Sequence, residues 1–367
     1  MAKSKGRPAD NDRLSGANQE MLLSSSDPEA KQLYELAIRV KQLAPWQWME
    51  ETDVFGVANP ETGELGFVSI MGSVGEYEAV AVYLGAEGLY DFIDFQADES
   101  ATSQRLIEMH HLQVEFSDRE YLEKEDRNQI KQLGLKFKGP KAWPMFRSYR
   151  PGYLPWFVNR AEAAVLIQAL SQVLDVGPRL RDDPNPIQPV GRVEPGGYWV
   201  RAARQDGTEL IWEDQVWSIR RPKRESPAVM VDSDLLALLK DTPRSDCDLE
   251  VDLLLLPGAI AESGQRPLAL YVLMVVDSNS GLILSAGPMT AEKSLPDMHA
   301  GIPNALLDTL LQNQVKPHAL LMRSEFLRGL LRNLTQSLNV ELRHADELPG
   351  IDEAAAFMLE SMFGGKL

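Results

Sequence analysis

The order of apolar segments in the last third of the chain constrains its fold more than any other feature. Apolar runs at 249–256, 268–276 and 282–286 have the length of strands. Asp277-Ser278-Asn279-Ser280-Gly281 separates the last two and makes them a hairpin. The period then changes. Pro303 opens a helix bearing Leu306, Leu307, Leu310 and Leu311, and 319–322 is a short buried strand. Ser324 caps a helix with Leu327, Leu330, Leu331, Leu334 and Leu338 on one face. A strand at 340–343 and a helix lined by Ile351, Ala354, Ala355, Met358 and Met362 complete the pattern. The predicted order is βββαβαβα, an α/β domain that begins with hairpin-linked strands and continues through helical crossovers.

The preceding residues read differently. Residues 1–25 are small and polar and predict a disordered tail. Asp27-Pro28 starts a helix carrying Leu33, Leu36, Ala37, Val40 and Leu43. Strands follow at 54–58, 65–71 and 78–84, then a helix over 87–95 and a strand at 112–116. Ser117 with Glu120 has the pattern of a capping box for a helix that stops at Gly134. A strand at 145–149 leads to a helix capped by Asn159, with Glu162 at its third position, that Gly177-Pro178 ends. Residues 26–177 therefore predict an α+β domain. Five prolines in 178–195 mark a linker, and Asp206-Gly207 turns a hairpin over 198–219. With the basic run Arg220, Arg221, Lys223 and Arg224, this gives a linker-and-hairpin segment over 178–224, ahead of a C-terminal domain at 225–367.

Within the first domain, residues 127–160 invert the local charge. Arg127, Lys131, Lys136, Lys138, Lys141, Arg147, Arg150 and Arg160 occur there without one Asp or Glu, in a chain of formal charge −17. Aromatic residues are threaded through them. Such a segment either packs its rings into the core and pairs its charges with acidic neighbours, or holds an acidic protein or a small anionic ligand. Aromatic and arginine side chains dominate binding hot spots, so Trp143, Arg147, Tyr149, Arg150, Tyr153 and Trp156 are the candidate binding residues.

Composition removes several functions. Fifty-four acids against 37 bases oppose binding to nucleic acid or an anionic membrane. The longest apolar run, 268–276, is far below the roughly 20 residues of a spanning helix, so no membrane association is expected. Cys247 is the only cysteine, which points to a reducing cytoplasm and excludes a cysteine-built zinc site. The five histidines lack ligand spacing, and His110 and His111 would point to opposite faces of a strand. No Walker A sequence, dinucleotide fingerprint or nucleophile elbow occurs, and no metal or cofactor is expected.

The βββαβαβα order resembles that of ribonuclease H-like domains, including retroviral integrases and transposases. Glu250-Val251-Asp252-Leu253 stands where that superfamily carries its first catalytic aspartate, and 275–282 resembles its second hairpin. Pro317-His318-Ala319-Leu320-Leu321-Met322 is similar to the strand leading to its second carboxylate. The resemblance implies a metal-dependent nuclease or integrase-like enzyme using Asp252, Glu325 and Asp352, with Glu250 and Glu353 nearby. Against this, Arg323-Ser324-Glu325 has no aspartate at the strand end, and Glu325 and Asp352 are ordinary first-turn acids. Phe146-Arg147-Ser148-Tyr149-Arg150-Pro151-Gly152-Tyr153, followed by Pro155-Trp156, resembles a bacterial family of two-domain proteins of unassigned function. The sequence therefore leans away from catalysis, toward a cytoplasmic scaffold or regulatory binding protein that uses residues 127–160.

Overall fold

The computed structural model describes residues 21–75, 77–98, 104–183, 197–207, 209–223, 229–261 and 265–363. The first part of the chain forms α1 (Pro28–Leu43), β1 (Phe55–Ala58), β2 (Leu65–Met71), β3 (Ala79–Leu84), α2 (Gly85–Ala97) and α3 (Gln104–Glu108). It continues through β4 (His111–Ser117), α4 (Lys124–Gln132), β5 (Trp143–Tyr149) and α5 (Arg160–Asp182) to the hairpin of β6 (Gly197–Asp206) and β7 (Glu209–Ser218). These strands make one mixed seven-stranded sheet in the order β5-β4-β3-β2-β1-β6-β7.

Alternation along the strands sends side chains to two separate cores. Val57, Val68, Val80, Val82, Leu112 and Val114 pack beneath α1 and α5. Phe67, Ala81 and Tyr83 pack on the other face with Leu89 and Phe92 of α2. The hairpin expected between the domains is present and belongs to this first sheet, because β6 pairs parallel to β1. Arg201 ties it to the helix above: Nε donates to Gln172 at 2.9 Å, and a terminal nitrogen lies 2.9 Å from Asp175.

Two boundaries in this part differ from expectation. The helix expected to stop at Gly177-Pro178 runs on to Asp182. Gly177 marks close packing there, since a Cβ on it would sit 3.2 Å from Leu43, and its carbonyl accepts the Trp48 indole N–H at 2.8 Å. The helix expected from Ser117 starts six residues later, because Ser117 still belongs to β4. Asp126 accepts the Glu123 N–H at 3.0 Å and fixes that later start. Residues 1–20 of the predicted tail and 184–196 of the predicted linker lie outside the described residues. Leu23, at the end of the predicted tail, donates its N–H to the Val158 carbonyl at 3.0 Å.

The rest of the chain forms α6 (Ser233–Asp241), β8 (Asp248–Ile260), β9 (Leu268–Asp277), β10 (Ile283–Met289), α7 (Leu295–Gln312), β11 (Ala319–Met322), α8 (Glu325–Leu338), β12 (Glu341–His344) and α9 (Pro349–Phe363). Its five-stranded sheet has the order β10-β9-β8-β11-β12. The first three strands in sequence pair antiparallel, whereas β8, β11 and β12 are parallel. Leu249, Val251, Leu273 and Val275 pack beneath α7 and α8, and Met274 and Val276 pack on Ile351 of α9. The chain is thus mixed α and β, with two mixed sheets and separate cores. Helix α6 escaped the sequence reading, although Asp232 caps it by accepting the Asp234 and Leu235 N–H groups at 2.9 and 3.1 Å. Helix α7 begins at Leu295, not Pro303. Ser294 accepts the Asp297 N–H at 3.1 Å, and Pro296 sits in the first turn.

The two parts meet at the loop after β5. Tyr153 bridges Leu268, the Ala269 N–H donates to the Gly152 carbonyl at 3.0 Å, and the Leu154 N–H donates to the Pro267 carbonyl at 2.9 Å. Gly152 has φ +84°, and a Cβ there would lie 2.4 Å from the Ala291 Cβ. Conformation and space both demand glycine. Gly152→Val is therefore expected to lift the loop from β9. Hydrogen exchange should accelerate by roughly tenfold or more at the Ala269 and Leu154 amides and stay unchanged in β2 and β3. Unchanged protection at Ala269 would refute this account of the junction.

Candidate functional site

Strand β8 places Glu250 and Asp252 on one face, both buried at 3% and 7% exposure. Glu250 Oε2 accepts the Ile351 N–H of α9 at 2.9 Å, so this carboxylate serves the first turn of a helix. Arg323, at the end of β11, stands between the other acids. Its Nε lies 2.9 Å from Asp252 Oδ2, and its Nη2 donates to Asp352 Oδ1 at 2.6 Å. Burial pushes the Asp252 carboxyl up from its ordinary value, and the Arg323 charge opposes that rise. Glu325 pairs with Arg328 on the exposed start of α8. Asp252 and Asp352 thus share one guanidinium, and Glu325 is engaged apart from them.

A pair of divalent ions does not fit this arrangement. Such ions need convergent carboxylates, and Arg323 supplies a permanent cation where they converge. Among the described residues, no group of three or more His, Cys, Asp or Glu side chains could hold a metal. Asp277 is held by the turn after β9, where its Oδ1 accepts the Asn279 and Ser280 N–H groups at 3.1 and 2.7 Å.

The basic-aromatic segment turns Arg147 inward and leaves most of its other charges exposed. Arg147, 6% exposed, makes a two-pronged contact with buried Asp126: Nη1 to Oδ1 at 2.9 Å and Nη2 to Oδ2 at 2.7 Å. Its guanidinium lies 4.7 Å from the centre of the Phe157 ring. Arg150 donates to Glu162 at 2.8 Å, and Arg160 pairs with Glu29 at 2.7 Å. Tyr149 stacks on His111 at 4.0 Å, and Trp143 tilts against Phe137. Trp156 exchanges backbone hydrogen bonds with Ser148, and Tyr153 reaches the second sheet. Lys131, Lys136 and Lys138 stay exposed.

Glu162 organises the junction between the parts, a role its sequence pattern did not disclose. Its Oε2 accepts the Asn159 N–H at 2.9 Å, which completes the α5 capping box. Its Oε1 accepts from Ser148 Oγ at 2.7 Å and from Arg150. Arg266, from the second part, donates to the Ser148 carbonyl and hydroxyl at 2.9 and 3.0 Å and reaches within 3.9 Å of Glu162. Arg266 stands alone in a polar loop and has no local pattern to mark it.

Comparison with known families follows this division. Residues 31–192 match the model described as Domain of unknown function (DUF7309), and residues 235–359 match Domain of unknown function (DUF6930). This is a two-domain protein of unknown function. No curated protein matches it. The β6–β7 hairpin falls between the two matched stretches, although it completes the sheet of the first. No described helix is long and apolar enough to cross a membrane.

Proposed function

We propose that this chain is a non-catalytic scaffold or regulatory binding protein whose C-terminal unit is a ribonuclease H-like fold with an arginine in its metal position. The observation that carries the reading is Arg323, paired at once with Asp252 and Asp352. The fold assignment draws support from three antiparallel strands followed by parallel strands that alternate with helices. A cytoplasmic, bacterial setting belongs to the same reading, and the single cysteine supports the reducing compartment. A net charge of −17 favours a protein or uncharged partner over nucleic acid. Of the six candidate binding residues, Tyr153 joins the two domains, and Arg150 and Glu162 link that junction to the first domain's interior. On this reading, the segment's principal acidic partners are its own neighbours.

Calorimetric titration of the full-length protein with Mn²⁺ tests the proposal. No saturable binding is expected, in the wild type or in Asp252→Asn. Two bound Mn²⁺ ions, with a nuclease activity that Asp252→Asn abolishes, would replace this reading with a metal-dependent enzyme.

A further inference from the structure

A cavity of about 810 Å³ lies between the first sheet and α5. Its floor is Val57, Gly66, Val82 and Leu112, and its roof is Val165 and Ala169. The hollow exists because small residues leave it. A Cβ on Gly66 would lie 2.7 Å from Val82 Cγ1 and 3.9 Å from Val165 Cγ1, so any side chain there would enter the space between sheet and helix. Interiors elsewhere close such gaps, because unfilled apolar space forfeits contacts. A volume of this size is that of a pocket for a small organic molecule.

The polar groups at its rim decide what kind of molecule. Arg150 and Glu162 line the cavity, but their charges meet each other at 2.8 Å. Glu64 adds one exposed carboxylate at the mouth. Burial, with Arg150 close by, lowers the His110 pKa and keeps its imidazole neutral. His110, Gln168, Asn59 and Asn159 are the uncharged hydrogen-bonding side chains of the lining, and Asn159 Oδ1 already accepts the Glu162 N–H as the cap of α5. Inside the cavity Arg150 and Glu162 are paired with each other, and Glu64 stays at the exposed mouth. A charge carried inward would therefore leave water without a buried opposite charge to meet it, whereas a neutral polar group meets donors and acceptors.

We infer that this cavity binds an uncharged small molecule with an apolar body, held between β1–β4 and α5, whose polar end bonds His110 and Gln168. The inference stands apart from the C-terminal carboxylates and from the Mn²⁺ titration.

A matched pair of fluorescent probes tests it on the full chain: neutral N-phenyl-1-naphthylamine and its sulfonate, 8-anilino-1-naphthalenesulfonate. The neutral probe is expected to bind saturably at one site, at least tenfold more tightly than the sulfonate. Val165→Trp fills the cavity from its roof, and Ala161→Trp blocks the mouth from the exposed first turn of α5 without touching the core. Each should weaken the neutral probe by at least tenfold. Circular dichroism and the melting temperature identify a variant that fails to fold, and the mouth variant then carries the test. No saturable binding of the neutral probe, equal affinity for the sulfonate, or full affinity in a folded Ala161→Trp would each overturn the inference.

Discussion

Replacing Arg147 by methionine should destabilise the protein by about 3–5 kcal/mol, the usual cost of stranding one partner of a buried pair. Asp126 is 5% exposed and loses both guanidinium contacts, while methionine keeps much of the side-chain volume. For a unit of this size, that loss lowers the melting temperature by roughly 6–20 °C. The companion change Asp126→Asn separates charge from packing. It keeps an acceptor for the Glu123 N–H and removes the stranded charge. The double variant should recover more than half of the loss in a double-mutant cycle. A single-variant loss below about 1 kcal/mol would place the Arg147–Asp126 pair among exposed pairs of little consequence.

Acidification should weaken the first domain through His111. This residue is 2% exposed, stacks on Tyr149 at 4.0 Å, and has Nδ1 2.9 Å from the Met109 carbonyl oxygen. Burial lowers its pKa to about 4, against an ordinary 6.5. The unfolded chain therefore binds the proton first as pH falls. The stability contribution is complete above pH 6.5 and drains away down to about pH 4, by on the order of 3 kcal/mol in all. His299, also held near 4 by burial, adds in the same direction. Glu108 and Asp252, whose pKa values burial raises, act in the opposite direction. The difference between wild type and His111→Phe isolates the one group, since phenylalanine keeps a stacking ring and cannot titrate. The variant should lose less stability than the wild type between pH 6.5 and 4. Parallel melting-temperature curves over that range would refute the assignment.

Much of the secondary structure was legible because its signals are local. Apolar runs marked β2 and β9, and Asn159 with Glu162 marked the start of α5 to the residue. Pairing was less legible, since no pattern in 55–58 announces that its neighbour lies beyond a helix at 197–206. The inward turn of Arg147 had its complement in view, because Glu123 and Asp126 directly precede the basic segment. A charge count over 127–160 alone passes over them. The Arg323 bridge was legible in part: the strand-end arginine stood out, and its proximity to Asp252 followed from the proposed strand arrangement. The cavity was not legible. It depends on Gly66, Val82 and Val165 from three elements leaving a gap, and only their relative placement reveals it.

The parallel pairing of β1 with β6 has a consequence for the nascent chain on the ribosome. All four residues of β1 are buried in the finished sheet, yet one of its two edges waits for a strand made about 140 residues later. At roughly 5–20 residues per second, translation leaves that edge without its partner for roughly 7–28 s. An open apolar strand edge invites pairing with another chain. Translation stalled before residue 197 would thus release a species prone to self-association, and a fragment ending with α5 inherits the same exposed edge.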